Sequence, residues 1–257
     1  MSRDHRTLLD LACRAVRAAA PPILEIYGSD FAVRRKDDRT PVTLADERAE
    51  AIIVALLRAE APEIPVIAEE ETAAKGASAA PPVFWLVDPL DGTREFIQRN
   101  GEFTVNVGLV EHGRPVLGAV LLPVGGVLYA GCGPGTATRQ IGDATPQPIA
   151  ARRAPKTGAI VAHSRSHADE NRIAAYVATL PEASRRVMGS SAKFCLLAAG
   201  EADYYPRFGT TMEWDTAAGD AVLAAAGGHV LTLDGAPLAY GKPDFRNPDF
   251  IASGASD

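Results

Sequence analysis

Cysteine is scarce in this chain. Cys13, Cys132 and Cys195 are the only three, and no C-x-x-C pair occurs. A disulfide framework or structural zinc site is therefore not expected, and a reducing compartment suits the chain better. Positive charge is also short. Acidic residues outnumber basic ones by 32 to 26, a net charge of −6, so no basic face for a nucleic-acid polymer is expected. No apolar run approaches the ~18 residues that signal a membrane span. Asp10 and Arg14 interrupt any signal-peptide core at the N-terminus. Neither G-x-S-x-G nor H-E-x-x-H occurs, which removes serine-hydrolase and zinc-protease readings. There is no internal repeat and no low-complexity tail. The expectation is a soluble cytoplasmic protein, with peripheral association at the inner membrane left open.

What is present is an ordinary globular composition, 47% hydrophobic and 23% charged over 257 residues, enough for one large or two intimate domains. Leu8, Leu11, Ala12, Ala15, Val16 and Ala19 recur at helical spacing between Thr7 and Tyr27, and Gly28 stops that helix. Thr43 can cap a second helix whose buried stripe is Ile52, Ile53, Leu56 and Leu57. "VFWLVD" reads as a buried strand. "FTVNVGLV", the turn "EHGR", "PVLGAVLL" and "GGVLYAG" read as an antiparallel run. The Gly-, Pro- and Thr-rich stretch from Gly131 to Lys156 is expected to be the seam between two lobes, 1–150 and 151–257. Beyond it the patterns predict a strand at "AIVAHS", helices over His167–Leu180 and Ser190–Ala199, a short strand at "DYYPRF", a helix in "WDTAAGDAVLAAAGG" and a strand at "HVLTL". Helices and sheets alternating in blocks predict a layered α/β (α+β) fold with mixed or antiparallel sheets.

Acidic residues stand at element boundaries: Asp46, Glu69 to Glu71, the pair Asp88 and Asp91, and Asp215. Singly, each has a plain structural alternative. Asp46 can complement a helix dipole, Asp215 can cap a helix, and the glutamates can be a solvated run. The aspartate pair is harder to set aside, because an Asp ending a buried strand sits where sheets present ligands. Pro89 and Gly92 force a turn that would aim both carboxylates and the Leu90 carbonyl to one side. An all-oxygen set of this kind suits Mg²⁺. If Glu69 and Asp215 join, the cluster holds about four negative charges, and a phosphate could approach only after two or more Mg²⁺ had neutralised them. The Thr93 hydroxyl could then orient water for attack on phosphorus, with Asp46 or Glu69 accepting the proton. A turn threonine bonding its own backbone explains Thr93 equally well. "PLDGT" also differs from the D-x-D-G-T of aspartyl-phosphate enzymes, since Pro89 stands where the nucleophile would be.

"AEE", "WLVDPLDGT" and "WDTAAG", in this order, resemble the signatures of the inositol monophosphatase superfamily of Mg²⁺-dependent, lithium-sensitive phosphatases. "RNGEFTVNVGLVEHGRPVLGAV", "HSRSHAD", "GSSAKFCLLAAGEADYYPRFG" and "EWDTAAGDAV" are similar to its bacterial 3′(2′),5′-bisphosphate nucleotidase branch, and the likeness runs from about Lys36 to the end. That branch removes the 3′-phosphate of adenosine 3′,5′-bisphosphate, a by-product of sulfate assimilation. The resemblance implies a five-layer αβαβα sandwich and two or three Mg²⁺ held by Glu69, Asp88, the Leu90 carbonyl, Asp91 and Asp215. It implies that Thr93 and Asp46 activate water and that the backbone of Gly92 and Thr93 holds the phosphate. Ser190, Ser191, Lys193 and Arg207 would meet the nucleotide or its second phosphate, with Ser164 and His167 as further contacts. The glutamate run is three long, so Glu70 is the alternative to Glu69, and Ala68 replaces a small polar residue.

Rival substrates are inositol monophosphate and a sugar bisphosphate. A non-catalytic nucleotide sensor is disfavoured by the water-orienting Thr93. Lys193 and Arg207 favour the nucleotide because its second phosphate needs a cationic partner. A solvated helix position would also explain Lys193. Tyr204 or Tyr205 could stack on adenine or simply fill the core. The expected partner is a small phosphate ester and the expected assembly a monomer or homodimer.

Overall fold

The fold is that of a computed structural model, which describes residues 4–35, 41–76, 79–166 and 169–255. Helix α1 (His5–Tyr27) is followed by a short hairpin, β1 (Val33–Arg35) and β2 (Pro41–Thr43), and then by α2 (Leu44–Glu60). After β3 (Val66–Ala68) and α3 (Glu69–Lys75) come β4 (Val83–Asp91) and the single turn α4 (Thr93–Ile97). Strands β5 (Thr104–Glu111), β6 (Arg114–Leu122), β7 (Val127–Cys132), β8 (Thr138–Ile141) and β9 (Gln147–Pro148) then run in succession. The remainder is β10 (Ile160–Ser164), α5 (Glu170–Ala178), β11 (Ser184–Met188), α6 (Ala192–Ala198), β12 (Tyr204–Arg207), α7 (Ala217–Ala225), β13 (His229–Thr232) and β14 (Phe250–Ser253).

Strands β3 to β9 lie in sequence order in a seven-stranded sheet, antiparallel except for the β3–β4 pair. The second sheet has the order β11-β10-β12-β14-β13 and is mixed. The expected hairpin at "EHGR" forms with His112 and Gly113 both at positive φ, the geometry whose twist matches antiparallel strands. The seam expected over Gly131–Lys156 is partly strand, because Thr138–Ile141 and Gln147–Pro148 extend the first sheet at its edge.

Alternation within the strands sorts the layers. Phe103, just before β5, and Val105, Val107 and Leu109 within it face the apolar stripes of α1 and α2, with Leu11, Val16, Ile23, Ile53 and Leu57 buried among them. The opposite face of the same sheet packs on α7, which with α6 forms a middle helical layer beneath the second sheet. Tyr176 of α5 meets Tyr204 and Phe208 on that sheet's outer side. The result is the αβαβα sandwich. Glycine permits a close contact between its layers: Gly108 and Gly118 are register partners on β5 and β6, and Ala218 of α7 presses against both. A Cβ at Gly118 would stand only 2.8 Å from Ala218 Cα. Among the described residues no helix is long and apolar enough to cross a membrane.

Candidate active site

β4 is a nearly continuous apolar run between β3 and β5, as a strand buried on both faces should be. Its regular pairing ends at Asp88 and shifts register before Asp91. Pro89 offers no N–H to a ladder, and Gly92 takes φ +90°, a left-handed conformation that turns the chain into α4. This corner opens on a cleft of about 490 Å³. Asp88, Leu90, Asp91, Gly92 and Thr93 line one side, with Glu69 from the start of α3 and Asp215 from the turn before α7. Ser164, Ser190, Ser191, Lys193 and Arg207 line the side formed by the second sheet and α6. Residues from distant segments thus share one cavity. Asp46 stands one hydrogen bond away, and His167 lies outside the described residues.

The aspartates press on one another. Burial pushes Asp88 and Asp215 well above the usual carboxylate range, Glu69 and Asp91 push both the same way, and Asp215 adds to the push on Asp88. Asp91 is pushed up to about 6 by burial, opposed chiefly by Lys193 and the Ser191 N–H. One oxygen of each is held by backbone: Asp88 Oδ1 accepts from Leu90 N at 3.0 Å, Asp215 Oδ2 from Met212 N at 2.9 Å, and Asp91 Oδ2 from Ser191 N. Asp215 therefore does not cap α7, whose cap position is Thr216. The fixed oxygens leave the second oxygen of each carboxyl as a donor to the cleft. Among the described residues no group of three or more His, Cys, Asp or Glu is arranged to hold a metal ion as it stands. The fit to a cation rests on donor chemistry: carboxyl and carbonyl oxygens only, with the three aspartates tethered, the set that Mg²⁺ takes together with waters and phosphate oxygens.

Asp46 caps its helix and contacts Thr93 at once. Its Oδ2 accepts from Thr43 N at 2.8 Å and Thr43 Oγ1 at 2.7 Å, closing a capping box at the start of α2. Its Oδ1 accepts from Thr93 Oγ1 at 3.2 Å. Burial raises its pKa to about 6. Thr93 Oγ1 also reaches the Leu90 carbonyl at 3.4 Å, so the turn contact and the Asp46 contact coexist.

The glutamate run divides by face. Glu69 lines the cleft, whereas Glu70 and Glu71 line a separate groove between α2 and α3. There Glu50 accepts from Glu70 N and Glu71 N at 2.7 and 2.8 Å, and Glu71 pairs with Arg58.

The opposite wall is cationic and buried. Lys193 is 2% exposed, so it is not a solvated helix residue. Its Nζ donates to the Met188 and Ser190 carbonyls and lies 5.0 Å from the centre of the Tyr205 ring. Burial lowers its pKa to about 8, which keeps it mostly protonated at neutral pH beside Asp91. Arg207 donates to Ser164 Oγ and the Thr210 carbonyl, each at 2.7 Å. Tyr205 lines the cleft while packing on Phe194 and Phe250, and Tyr204 packs on Tyr176. Ser190 sits at φ +49° in the turn that enters α6.

Sequence reasoning overlooked Glu95, a buried carboxylate on the cleft whose Oε1 accepts from Ser166 Oγ at 2.7 Å. It also passed over Thr104 and Asn106. Their signal was available: they are polar residues alternating with the apolar face of "FTVNVGLV".

Known proteins carry the same pattern. The sequence model of the inositol monophosphatase family matches residues 4–255. Over 249 residues the chain is 44% identical to the 3′(2′),5′-bisphosphate nucleotidase CysQ of Shigella flexneri, a match spanning 96% of this chain and 99% of that protein. The CysQ of Escherichia coli K12 is 43% identical over the same length, again 96% of this chain and 99% of that one. The crystal structure of CysQ from Bacteroides thetaiotaomicron superposes with a TM-score of 0.84 at 37% identity, covering 98% of each chain. A family pattern matched over nearly the whole length, on a sandwich whose strand ends gather carboxylates, means that the chain belongs to the inositol monophosphatase family.

Proposed function

We propose that this protein is a Mg²⁺-dependent phosphomonoesterase that cleaves the 3′-phosphate from adenosine 3′,5′-bisphosphate, leaving AMP and phosphate. One observation carries the reading: carboxyl groups from three segments face a buried cationic wall across a single cleft, with the Thr93–Asp46 pair at its edge. The names of its CysQ relatives point to the same substrate class.

Bound Mg²⁺, two or three ions in this reading, would neutralise the carboxylates, polarise the phosphate and ease ionisation of the attacking water. The protein's own groups do the rest. Glu69, Asp88, the Leu90 carbonyl, Asp91 and Asp215 provide the oxygen donors. Thr93 Oγ1 accepts a hydrogen bond from water and donates its own proton towards Asp46 Oδ1, so the pair orients the nucleophile and receives its proton. An Asp46 pKa near 6 suits that task, since the group is largely ionised at pH 7 yet basic enough to accept. The backbone of Gly92 and Thr93 is free of a Cβ at its tightest point and can approach a phosphate closely. Lys193 and Arg207 supply positive charge for the second phosphate, with Ser164 and Ser190 beside them. The first lobe then carries most of the metal face and the second lobe most of the nucleotide face. The proposed setting is the cytoplasm.

The test is a phosphate-release panel of adenosine 3′,5′-bisphosphate, its 5′-phosphosulfate form, inositol 1-phosphate and fructose 1,6-bisphosphate, with and without Mg²⁺ and Li⁺. The expected result is Mg²⁺-dependent, Li⁺-inhibited release with the highest kcat/KM on a nucleotide. Preference for either sugar phosphate would replace the substrate assignment, and release without a divalent cation would dismiss the mechanism.

A further inference from the structure

Directly behind the metal-facing aspartates lies a second set of polar side chains. β5 runs antiparallel to β4 with Asn106 opposite Asp88 and Thr104 opposite Asp91. Thr104, Asn106 and Ser191 are all buried. Their polar atoms meet between the first sheet and α6: Thr104 Oγ1 and Ser191 Oγ are 2.7 Å apart, and Ser191 Oγ is 2.7 Å from Asn106 Oδ1. Thr104 Oγ1 is also 3.5 Å from Asp91 Oδ2, the oxygen that accepts the Ser191 N–H. Ser191 therefore turns its hydroxyl away from the cleft and its backbone towards the carboxylate.

Proton counting gives the set a direction. With Asn106 Oδ1 accepting from Ser191, Asn106 Nδ2 is buried without a partner. The two ends of a side-chain amide are distinguished by their hydrogen bonds. Turned over, Nδ2 donates to Ser191 Oγ, Ser191 donates to Thr104, and Thr104 donates towards Asp91. The orphan is then a carbonyl oxygen, which is tolerated better than a buried N–H. Every donor in the chain points to the one charged acceptor at its end.

We propose that Asn106, Ser191 and Thr104 are positioning residues that hold the Asp91 carboxylate for the cation, and that the Ser191 hydroxyl serves this network rather than the nucleotide. The inference rests on the reading of Asp91 as a metal ligand. Because Ser191 follows Ser190 at the start of α6, two residues before Lys193, it also sets the cationic wall and the metal face in fixed relation.

The experiment measures Mn²⁺ affinity of the full chain by isothermal titration calorimetry without nucleotide, alongside kcat and KM for adenosine 3′,5′-bisphosphate at saturating Mg²⁺. Thr104→Val keeps the shape and removes the hydroxyl; Ser191→Ala keeps the N–H that meets Asp91. Each should weaken Mn²⁺ binding about tenfold, as loss of a group that orients a ligand does, while KM stays within about twofold. Thr104→Ser should restore wild-type affinity. Unchanged Mn²⁺ affinity in both variants, or a melting temperature lowered with affinity intact, overturns the proposal. So does a rise in KM for Ser191→Ala with Mn²⁺ binding intact, which would make the hydroxyl a substrate contact. A wild type that binds Mn²⁺ but leaves the nucleotide uncleaved would refute the proposed function alone, since the network is judged on the cation affinities.

Discussion

Thr93 Oγ1 lies 3.2 Å from Asp46 Oδ1 although 47 positions separate the two residues, and the second Asp46 oxygen is already committed to Thr43. The carboxylate is thus aimed by its own helix cap. Thr93→Ala should lower kcat for phosphate release by about 10²–10⁴-fold, the usual contribution of a positioned proton acceptor and its relay. KM and the melting temperature should stay near wild type, because Thr93 supports no buried ladder. Steady-state kinetics with a thermal melt checks both halves, and near-wild-type kcat would remove Thr93 from the mechanism.

Adjacent glutamates should behave oppositely. Glu69 faces the cleft and Glu70 the groove between α2 and α3. Glu69→Gln is expected to cut kcat/KM by about 100-fold, comparable to loss of one electrostatic group aimed at a reacting centre. Glu70→Gln should stay within about twofold. Asp91→Asn should resemble Glu69→Gln. The comparison is made at several Mg²⁺ concentrations, and equal losses for the two glutamate variants would refute the division by face.

Gly118→Ala tests how closely α7 must sit on the sheet. Its methyl group would overlap the Ala218 backbone, and backbone cannot swing aside as a side chain can. A loss of about 3 kcal/mol or more is expected in urea denaturation, at the upper end of overpacking costs. Since α7 follows Asp215 directly, any variant that remains folded should also bind Mn²⁺ more weakly. A stability within about 0.5 kcal/mol of wild type would show that the layers can move apart freely.

Asp220 gives a pH signature outside the cleft. It is buried on α7, accepts from Tyr240 Oη at 2.9 Å and is pushed up to about 7 by burial, with Tyr240 and Arg114 opposing. A folded-state pKa above the unfolded one means that the folded protein holds the proton more tightly. Stability is therefore fully present below about pH 4 and is lost progressively as pH rises towards about 7. Asp220→Asn keeps a neutral partner for Tyr240 and removes that loss. The variant should gain on wild type between pH 5 and pH 8, by on the order of 2–3 kcal/mol. Melts at the two pH values check it, and a constant gap would mean that Asp220 does not titrate in this range.

Much of this architecture could be read from residues alone, because the informative features were local. The β4 run, the Pro–Gly corner after it, the His112–Gly113 hairpin and the Thr43 cap all depend on neighbours within a few positions. What stayed hidden depends on distant partners. Thr138–Ile141, Gln147–Pro148 and Ser184–Met188 are polar strands at or next to a sheet edge, ordered by the sheets they join rather than by an apolar pattern of their own. Lys193 is expected to meet a second phosphate, but a solvated helix position explains it too until α6 is seen packed between two sheets. Thr104 and Asn106 looked like ordinary strand residues, since only the register shows which carboxylates they stand beside. Asp215 illustrates the middle case: its neighbourhood was recognisable, whereas its release from capping duty was not.

The register shift between Asp88 and Asp91 has an arithmetic effect. In a regular strand side chains alternate sides with period two, so residues separated by an odd number of positions point apart. Three steps would send one aspartate into the cleft and the other into the helices behind. The irregularity at Pro89 and Leu90 absorbs one step and corrects the parity. The spacing of this motif is therefore inseparable from the flaw in its strand. Moving the four residues from Asp88 to Asp91 onto a straight ladder elsewhere would preserve every letter and still turn the two aspartates back to back.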